Sequence, residues 1–200
     1  MKTARATAAG NPENQDRAAI IPFARRILLC VADGAGGRSG GTEAAELAVD
    51  FVRQRAAQMA SPESCVKLLR DMDEAAMNAG ETTCALAVAS PQEVFGASVG
   101  DSGVWFIPRV GPLVDLTCHQ QRKPCIGSGC AWPVPFRQEQ PKGTLLLATN
   151  GLFKYTSLEK IVSVCRGEAS ERSAQDLLEL VRYQSGAFPD DVTVVLLQLE

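Results

Sequence analysis

The sequence predicts an α+β fold in which antiparallel strands and helices are grouped along the chain. Three observations carry this prediction. Apolar runs rich in β-branched residues occur early, in the middle and at the end of the chain, which is typical of buried strands. Two helix-like segments follow the first of these runs, and two more precede the last run. Helices alternating one by one with strands would instead indicate a doubly wound parallel sheet.

The composition describes one ordinary globular domain over residues 1–200. The chain is 46% hydrophobic and 22% charged, so it can bury most of its apolar surface. Its net charge of −3 provides no basic field for nucleic acid or anionic lipid. No apolar run reaches the roughly 20 residues of a membrane helix, and residues 1–11 are too polar for a signal peptide. We therefore expect a cytoplasmic monomer without nucleic-acid or membrane partners.

The early apolar runs predict two strands. Residues 17–23 and 27–32 would form the edge of a sheet or a hairpin, and Pro22 favours an edge position because proline cannot donate to a ladder. The second run ends at Asp33 and opens into a glycine-rich stretch over residues 34–41. Such stretches let backbone amides approach an anion closely.

Two successive helices are predicted next. Apolar residues recur on one face from about Thr42 to Ala57. Ser61 and Pro62 suit the N-cap and first position of a second helix, which stops near Gly80. Two helices in succession predict a packed helical pair.

The middle of the chain returns to strands. Three short runs over residues 82–108 are separated by turn residues and predict an antiparallel meander. Residues 118–143 contain four prolines and three glycines, so they predict loop with one short strand. Residues 144–150 predict another buried strand.

The last part of the chain predicts a second helical pair and a closing strand. Thr156 with Glu159 suits a capping box for a helix that runs to about Val164. Ser173 with Asp176 suits a second capping box. An acidic turn then leads into a final apolar strand that ends the chain.

Seven cysteines are distributed along the chain, and most are expected to be buried free thiols. Cys30, Cys84 and Cys165 lie in apolar segments, where a thiol behaves as a small hydrophobic group. A zinc site is a second possibility for one cluster, although its spacing lacks paired CxxC motifs. That cluster consists of Cys118, His119, Cys125 and Cys130.

Acidic and amide side chains follow or precede several of the predicted strands. They are Asp16, Asp33, Asp101, Asn150 and Asp190. Groups at strand ends can converge at one edge of a sandwich, and their hard oxygen atoms suit Mg²⁺ or Mn²⁺. Each residue taken singly is better explained as a turn former or helix cap, because Asp and Asn bond to local backbone groups.

Seven short motifs occur in the order of the protein phosphatase 2C family. They are NQDR at 14–17, VADGAGG at 31–37, GTEAA at 41–45, GETT at 80–83, SVGDSGVW at 98–105, LLLATNGLF at 145–153 and PDDVTVVLL at 189–197. The chain resembles these metal-dependent Ser/Thr phosphatases over nearly its whole length. The resemblance implies a four-layer α-β-β-α sandwich, with two antiparallel sheets each covered by a helix pair.

The resemblance also implies a reaction. Two Mn²⁺ or Mg²⁺ ions would lie between the sheets, and a metal-bridging hydroxide would attack the phosphorus of phosphoserine or phosphothreonine. Asp33 would bridge both ions and, with Asp16 acting through metal-bound water, would form the catalytic pair. The remaining matched ligands would be the Gly34 carbonyl, Asn150 and Asp190, with Asp101 at a third, loosely held ion.

Four positions depart from the family pattern. Asn150 replaces the usual Asp, which removes one negative charge from the metal centre. Asn11 stands where many members have an Arg that contacts the substrate phosphate. Ala35 stands where some have a His that acts as general acid, and Lys154 stands where some have a further acid.

Three functions are consistent with these residues. The first is hydrolysis of a phosphoprotein that a Ser/Thr kinase has modified, and it is favoured because three of the four central acids remain. The second is a pseudophosphatase that binds a partner or phosphoprotein without turnover, as Asn11 and Asn150 suggest. The third is a nucleotide-binding protein built on the glycine stretch, although residues 34–42 lack both a P-loop Lys and G-x-G-x-x-G.

Overall fold

The computed structural model describes residues 1–35 and 40–200. Within these residues the strands are β1 Lys2–Ala8, β2 Asp16–Phe23, β3 Arg26–Asp33, β4 Cys84–Ala89, β5 Glu93–Val99, β6 Gly103–Pro108, β7 Val114–Asp115, β8 Val134–Glu139, β9 Gly143–Ala148 and β10 Val192–Leu199. The α-helices are α1 Gly41–Arg55, α2 Pro62–Ala76, α3 Asn150–Tyr155, α4 Leu158–Cys165 and α5 Glu171–Glu179. A 3₁₀ turn, Ala56–Gln58, follows α1.

The strands form two antiparallel five-stranded sheets. The order is β1-β10-β9-β6-β7 in the first sheet and β2-β3-β4-β5-β8 in the second. Strand β2 is therefore an edge strand, which is why Pro22 is tolerated within it. The first and last strands, β1 and β10, pair with each other from Lys2 with Gln198 to Ala8 with Val192.

The apolar core has three parts that alternate with the sheets. The central part lies between the sheets and includes Leu29, Val31, Leu147 and Val195. The other two parts lie between each sheet and its helices. Side chains alternate across a strand, so both faces of β3, β4, β9 and β10 are buried, and these strands read as continuous apolar runs.

Helices cover the outer face of each sheet. Helices α1 and α2 pack on the second sheet, and α5, with α4 beside it, packs on the first. This arrangement confirms the expected α-β-β-α sandwich. Ser61 caps α2 and Pro62 is its first residue, as the sequence predicts.

The expected three-strand meander is wrong in its last member. Strands β4 and β5 pair with each other in the second sheet, but β6 pairs with β9 in the first. The turn at Gly100 and Asp101 carries the chain from one sheet to the other. Gly100 has a φ of 95° in this turn, a left-handed conformation that glycine adopts readily. Sequence patterns report a turn at this point but not the sheet that the next strand joins.

Other expectations about the elements also need correction. Strand β1 was not expected, because its sequence KTARATA is polar and small. Thr156 ends α3 rather than capping the next helix, and the Ser157 N-cap of α4 makes no side-chain capping bond. In α5 the capping box is Ser170 with Ser173, so Ser173 is the third helical residue and not the cap.

The cysteines are free thiols, and five of the seven are buried. The Sγ atoms of Cys30 and Cys84 lie 3.7 Å apart in the core under α1 and α2. Cys118 and Cys130 are exposed whereas Cys125 is buried, and over the described ranges no three Cys, His, Asp or Glu groups are arranged to hold a metal ion. The structure therefore does not gather Cys118, His119, Cys125 and Cys130 into a zinc site. Among those same residues, no helix has the length and apolar character needed to cross a membrane.

Candidate metal centre

One end of the sandwich brings together the strand ends that carry the acidic residues. Strand β2 begins at Asp16 and β3 ends at Asp33, and these two residues are direct cross-strand partners. Asp101 lies on the turn that joins the sheets. Asn150 follows β9 and Asp190 precedes β10 in the first sheet.

A cavity of about 260 Å³ opens at this end of the sandwich. It is lined by Asn11, Gln15, Asp33, Gly34, Ala35, Thr83, Asp101, Arg122, Lys123, Cys125, Asn150, Lys154, Asp190 and Asp191. The cavity thus collects five of the six residues that the sequence marks as candidate ligands. Asp16, the sixth, does not line it and is only 4% exposed.

The backbone of Asp33 is held by two threonines of the GETT motif. The Asp33 amide donates to Thr83 Oγ1 at 3.1 Å, and the Thr83 amide donates to the Asp33 carbonyl at 2.8 Å. Thr82 Oγ1 donates to the same carbonyl at 2.9 Å. Thr83 Oγ1 also lies 2.7 Å from Ser102 Oγ. The position of Asp33 is thereby linked to the turn that carries Asp101.

The next residue, Gly34, lies at a tight corner. A Cβ atom there would come within 2.4 Å of the Gly41 carbonyl oxygen, so no larger residue fits without displacing the start of α1. The Gly34 amide donates to the Gln15 carbonyl at 3.3 Å. Residues 36–39 of the glycine-rich stretch lie outside the described residues. The prediction that this stretch binds an anion depends largely on them.

Asp16 lies buried between the sheets. Thr149 Oγ1 donates to its Oδ2 at 2.7 Å, while its Oδ1 is buried without a hydrogen-bond partner among the described residues. Burial raises the pKa of Asp16 to about 7, against the opposing effect of hydrogen bonds from Thr149 and Thr193. A buried, unsatisfied carboxylate oxygen indicates a place for an ordered water or a cation.

Asp33 has the most perturbed acidity in the cavity. Its pKa is raised to about 8, mostly by burial and then by the negative charges of Asp16, Asp101 and Asp190, while Lys154 opposes the rise. Carboxylates that disfavour one another's ionisation in this way are stabilised by a cation between them. Asp33 and the Gly34 carbonyl supply hard oxygen atoms, and Mg²⁺ or Mn²⁺ prefers such ligands.

Two of the other carboxylates already contact basic side chains. Lys154 Nζ lies 3.3 Å from Asp190 Oδ2. Arg122 Nε lies 2.9 Å from Asp101 Oδ2. Asn150 Nδ2 donates to Asp101 Oδ1 at 3.2 Å. Throughout the part of the chain that is described, no three acidic, thiol or imidazole groups form a ready-made metal site, so a bound ion needs backbone, amide or water ligands in addition.

Asp191 is a buried acid that the sequence does not distinguish from Asp190. Its Oδ1 accepts from the amides of Gly10 and Asn11 at 2.9 and 3.1 Å, and its Oδ2 accepts from the Gln15 amide at 2.9 Å. These bonds fix the connection between β1 and β2, which brings Asn11 to the cavity. The signal available in the sequence is the Asp-Asp pair at the start of the last strand.

Sequence reasoning also overlooks Thr149, Arg122 and Lys123. A threonine next to the Asn150 position signals little by itself, and its role depends on the packing of the two sheets. Arg122 and Lys123 come from the proline-rich segment, where no periodic pattern relates residues to the sheets.

Comparisons with known proteins agree with this geometry. A family model described as Protein phosphatase 2C matches residues 5–124. No curated protein matches the chain.

Several solved structures share the whole fold. The serine/threonine phosphatase Stp1 from Staphylococcus aureus superposes with a TM-score of 0.82 at 20% identity, covering 100% of this chain and 95% of that one. The catalytic domain of the serine threonine protein phosphatase PstP, in complex with 2 manganese ions, gives 0.82 at 22%, covering 100% and 98%. RsbX in complex with magnesium gives 0.76 at 18%, covering 99% and 94%. At these identities the likeness shows the fold.

Proposed function

The chain belongs to the protein phosphatase 2C family, and on that premise we propose that it hydrolyses phosphoserine and phosphothreonine in proteins with Mn²⁺ or Mg²⁺. One observation carries the proposal. Asp33, Asp101 and Asp190 line one cavity and Asp16 is the cross-strand partner of Asp33, and burial together with these neighbouring charges raises the pKa of Asp33. Such a cluster is the expected environment of a divalent cation that acts on a phosphate ester.

The proposed ligands for the ions are Asp33, the Gly34 carbonyl, the Asn150 amide oxygen and Asp190, with Asp16 acting through water and Asp101 at the margin. Bound ions of this kind activate water and neutralise charge on phosphoryl oxygens. Asp33 and Asp16 would then be the acids closest to the reaction.

The surrounding residues position these groups. Thr83 holds the backbone of Asp33, and Thr149 holds the carboxylate of Asp16. Arg122, Lys123 and Lys154 line the cavity and would attract a dianionic phosphate to its mouth. They would supply the positive charge that Asn11, at the usual phosphate-contacting position, does not.

The proposed partner is a phosphoprotein modified by a Ser/Thr kinase, and the proposed setting is a cytoplasmic monomer. The net charge of −3 supports the absence of nucleic-acid and membrane partners.

A second function is favoured by a specific observation. Asp190 and Asp101 contact Lys154 and Arg122, and the neutral Asn150 donates to Asp101. In a pseudophosphatase these internal cations would take the place of metal, and the cavity would bind a phosphorylated segment without hydrolysing it.

Turnover by metal-stripped protein tests the two functions. We expect an aryl phosphate and a phosphothreonine peptide to be hydrolysed when Mn²⁺ is added at millimolar concentration, and chelator to abolish the reaction. Asp33→Asn should be inactive, whereas Asp176→Asn, which alters an exposed acid on α5, should behave as wild type. If Asn150→Asp hydrolyses the substrates and wild type does not, the pseudophosphatase is established. If neither wild type nor Asn150→Asp is active with metal bound, the hydrolase is refuted.

A further inference from the structure

We infer that this centre holds one divalent cation firmly rather than two, because the ammonium group of Lys154 neutralises the position that a second ion would occupy beside Asp190. The inference deepens the proposed function and rests on it, since it specifies how many ions the proposed hydrolase uses. It concerns this chain's own residues, and it follows from contacts between α3 and the start of β10.

Lys154 lies on α3 and lines the cavity. Helix α3 begins at Asn150, and Lys154 is four residues later, so both side chains lie on one face of the helix. That face is directed at the cavity, where both residues are found. Lys154 Nζ lies 3.3 Å from Asp190 Oδ2, and the two side chains are 40% and 31% exposed. A positive charge therefore already lies at the Asp190 carboxylate.

The two candidate ion positions differ in the groups around them. One would be held by Asp33 and the Gly34 carbonyl, and Asp16, the buried cross-strand partner of Asp33, has an Oδ1 without a partner among the described residues. The other must share Asp33 and otherwise depends on Asn150 and Asp190. Asn150 is uncharged, and Asp190 is paired with Lys154. Each position thus has two carboxylates nearby, but only at the second is one of them paired with an ammonium group.

The positive charge of Lys154 opposes the binding of a second ion. Lys154 lies close enough to influence Asp33 as well as Asp190, so its charge reaches both carboxylates that a second ion would need. A divalent cation entering there is repelled by the ammonium group at a separation where Coulomb energies are large even with partial screening. An exposed ion pair is weak by itself, so the second ion is disfavoured and not prevented.

Counting bound ions tests the inference independently of turnover. Metal-stripped protein is titrated with Mn²⁺, and free Mn²⁺ is followed by its electron paramagnetic resonance signal, with equilibrium dialysis as a check. We expect wild type to bind one Mn²⁺ firmly, and a second at least about tenfold more weakly. Lys154→Met should tighten the second ion by about tenfold or more, and adding Asn150→Asp should tighten it further.

Matched variants separate charge from loss of structure. Lys154→Arg keeps the charge and should bind ions as wild type does, and Lys160→Met, an exposed lysine on α4, should change nothing. Asp190→Asn should leave the first ion in place, whereas Asp33→Asn should abolish it. Circular dichroism of each variant checks that the helices are retained.

The outcomes distinguish this inference from the proposed function. Two Mn²⁺ ions of similar affinity in wild type, or an unchanged second ion in Lys154→Met, would overturn the inference and leave the hydrolase standing. One bound Mn²⁺ without turnover would support the inference and refute the hydrolase. Absence of any bound Mn²⁺ would overturn both.

Discussion

Thr149 donates a hydrogen bond of 2.7 Å to Asp16, and this contact joins the two sheets at the candidate metal centre. Thr149 follows β9 of the first sheet, and Asp16 begins β2 of the second. The same hydroxyl accepts from the Thr193 amide at 2.9 Å. One side chain thus connects the buried acid to the start of β10.

We predict that Thr149→Val lowers the free energy of unfolding by roughly 1–3 kcal/mol, because the buried Asp16 carboxylate loses its donor. Denaturant unfolding of metal-free protein measures the change. Thr156→Val is the control, since Thr156 Oγ1 is buried without a hydrogen-bond partner in the described residues. A loss of equal size in both variants would contradict a specific role for the Thr149 bond.

Substitution of the adjacent acids Asp190 and Asp191 should lower stability by unequal amounts. Asp191 accepts three backbone hydrogen bonds and is 5% exposed, so Asp191→Ala should cost roughly 3 kcal/mol of stability. Asp190 has a partly exposed ion pair with Lys154, so Asp190→Ala should cost less than about 1 kcal/mol without metal. Thermal and denaturant unfolding with chelator present measure both. A larger loss of stability in Asp190→Ala than in Asp191→Ala would contradict a structural role for Asp191 and a role in the metal centre for Asp190.

Asp73 is predicted to hold the segment beside the cavity. Its carboxylate accepts from the amides of Gly127, Gly129 and Ala131 at 2.7, 3.1 and 2.9 Å. Asp73→Ala should therefore destabilise the protein by roughly 2–4 kcal/mol. Asp71 lies on the same helix in an exposed ion pair with Lys67.

Asp71→Ala, the matched control for Asp73→Ala, should cost no more than about 0.5 kcal/mol. Hydrogen exchange of residues 125–131 should accelerate in the Asp73 variant alone. Equal protection of this segment in both variants would show that Asp73 does not anchor it.

The raised pKa values of Asp16 and Asp33 predict an unusual pH dependence for metal-free protein. The folded-state pKa values of Asp16 and Asp33 are about 7 and 8, above the ordinary value near 4 for Asp. The folded protein therefore binds these protons more tightly than the unfolded chain does. Their contribution to stability is complete below about pH 4 and is lost as the pH rises through about 7 and 8.

We expect the stability of wild type relative to Asp33→Asn to fall by roughly 1–3 kcal/mol from about pH 5 to about pH 8 with chelator present. Denaturant unfolding across this range measures it. Addition of Mn²⁺ should reverse the trend, because the ion favours the ionised carboxylates. Parallel profiles for the two proteins would contradict the raised pKa of Asp33.

The elements with strong periodic patterns were predictable from the sequence. Strand β3, helix α2 with its Ser61 cap, and strand β10 all follow from apolar spacing and capping residues. Strand β1 was not predictable from the sequence, because its polar and small residues form a strand only by pairing with β10. The sheet assignment of β6 likewise depends on the path of a single turn.

The candidate site was predictable at the level of residue type and less so at the level of contacts. Asp33, Gly34, Asp101, Asn150 and Asp190 are marked by strand ends and family motifs, and they meet at one cavity. The pairing of Lys154 with Asp190, and of Arg122 with Asp101, is a property of side-chain positions across different elements. No local pattern encodes such contacts, since the partners lie in separate segments.

The pairing of β1 with β10 has a consequence for the order in which the molecule assembles. Lys2 lies opposite Gln198, and Asp16 reaches Thr149 and the start of β10 only when that strand is in place. A chain emerging from the ribosome can form the β2-β3 hairpin and the α1-α2 layer early, from contacts that are near in sequence. Strand β1 can join the first sheet only through β10, its one neighbour there, and contacts this distant in sequence slow folding. Metal affinity should therefore appear late in refolding, as a marker of the finished sandwich.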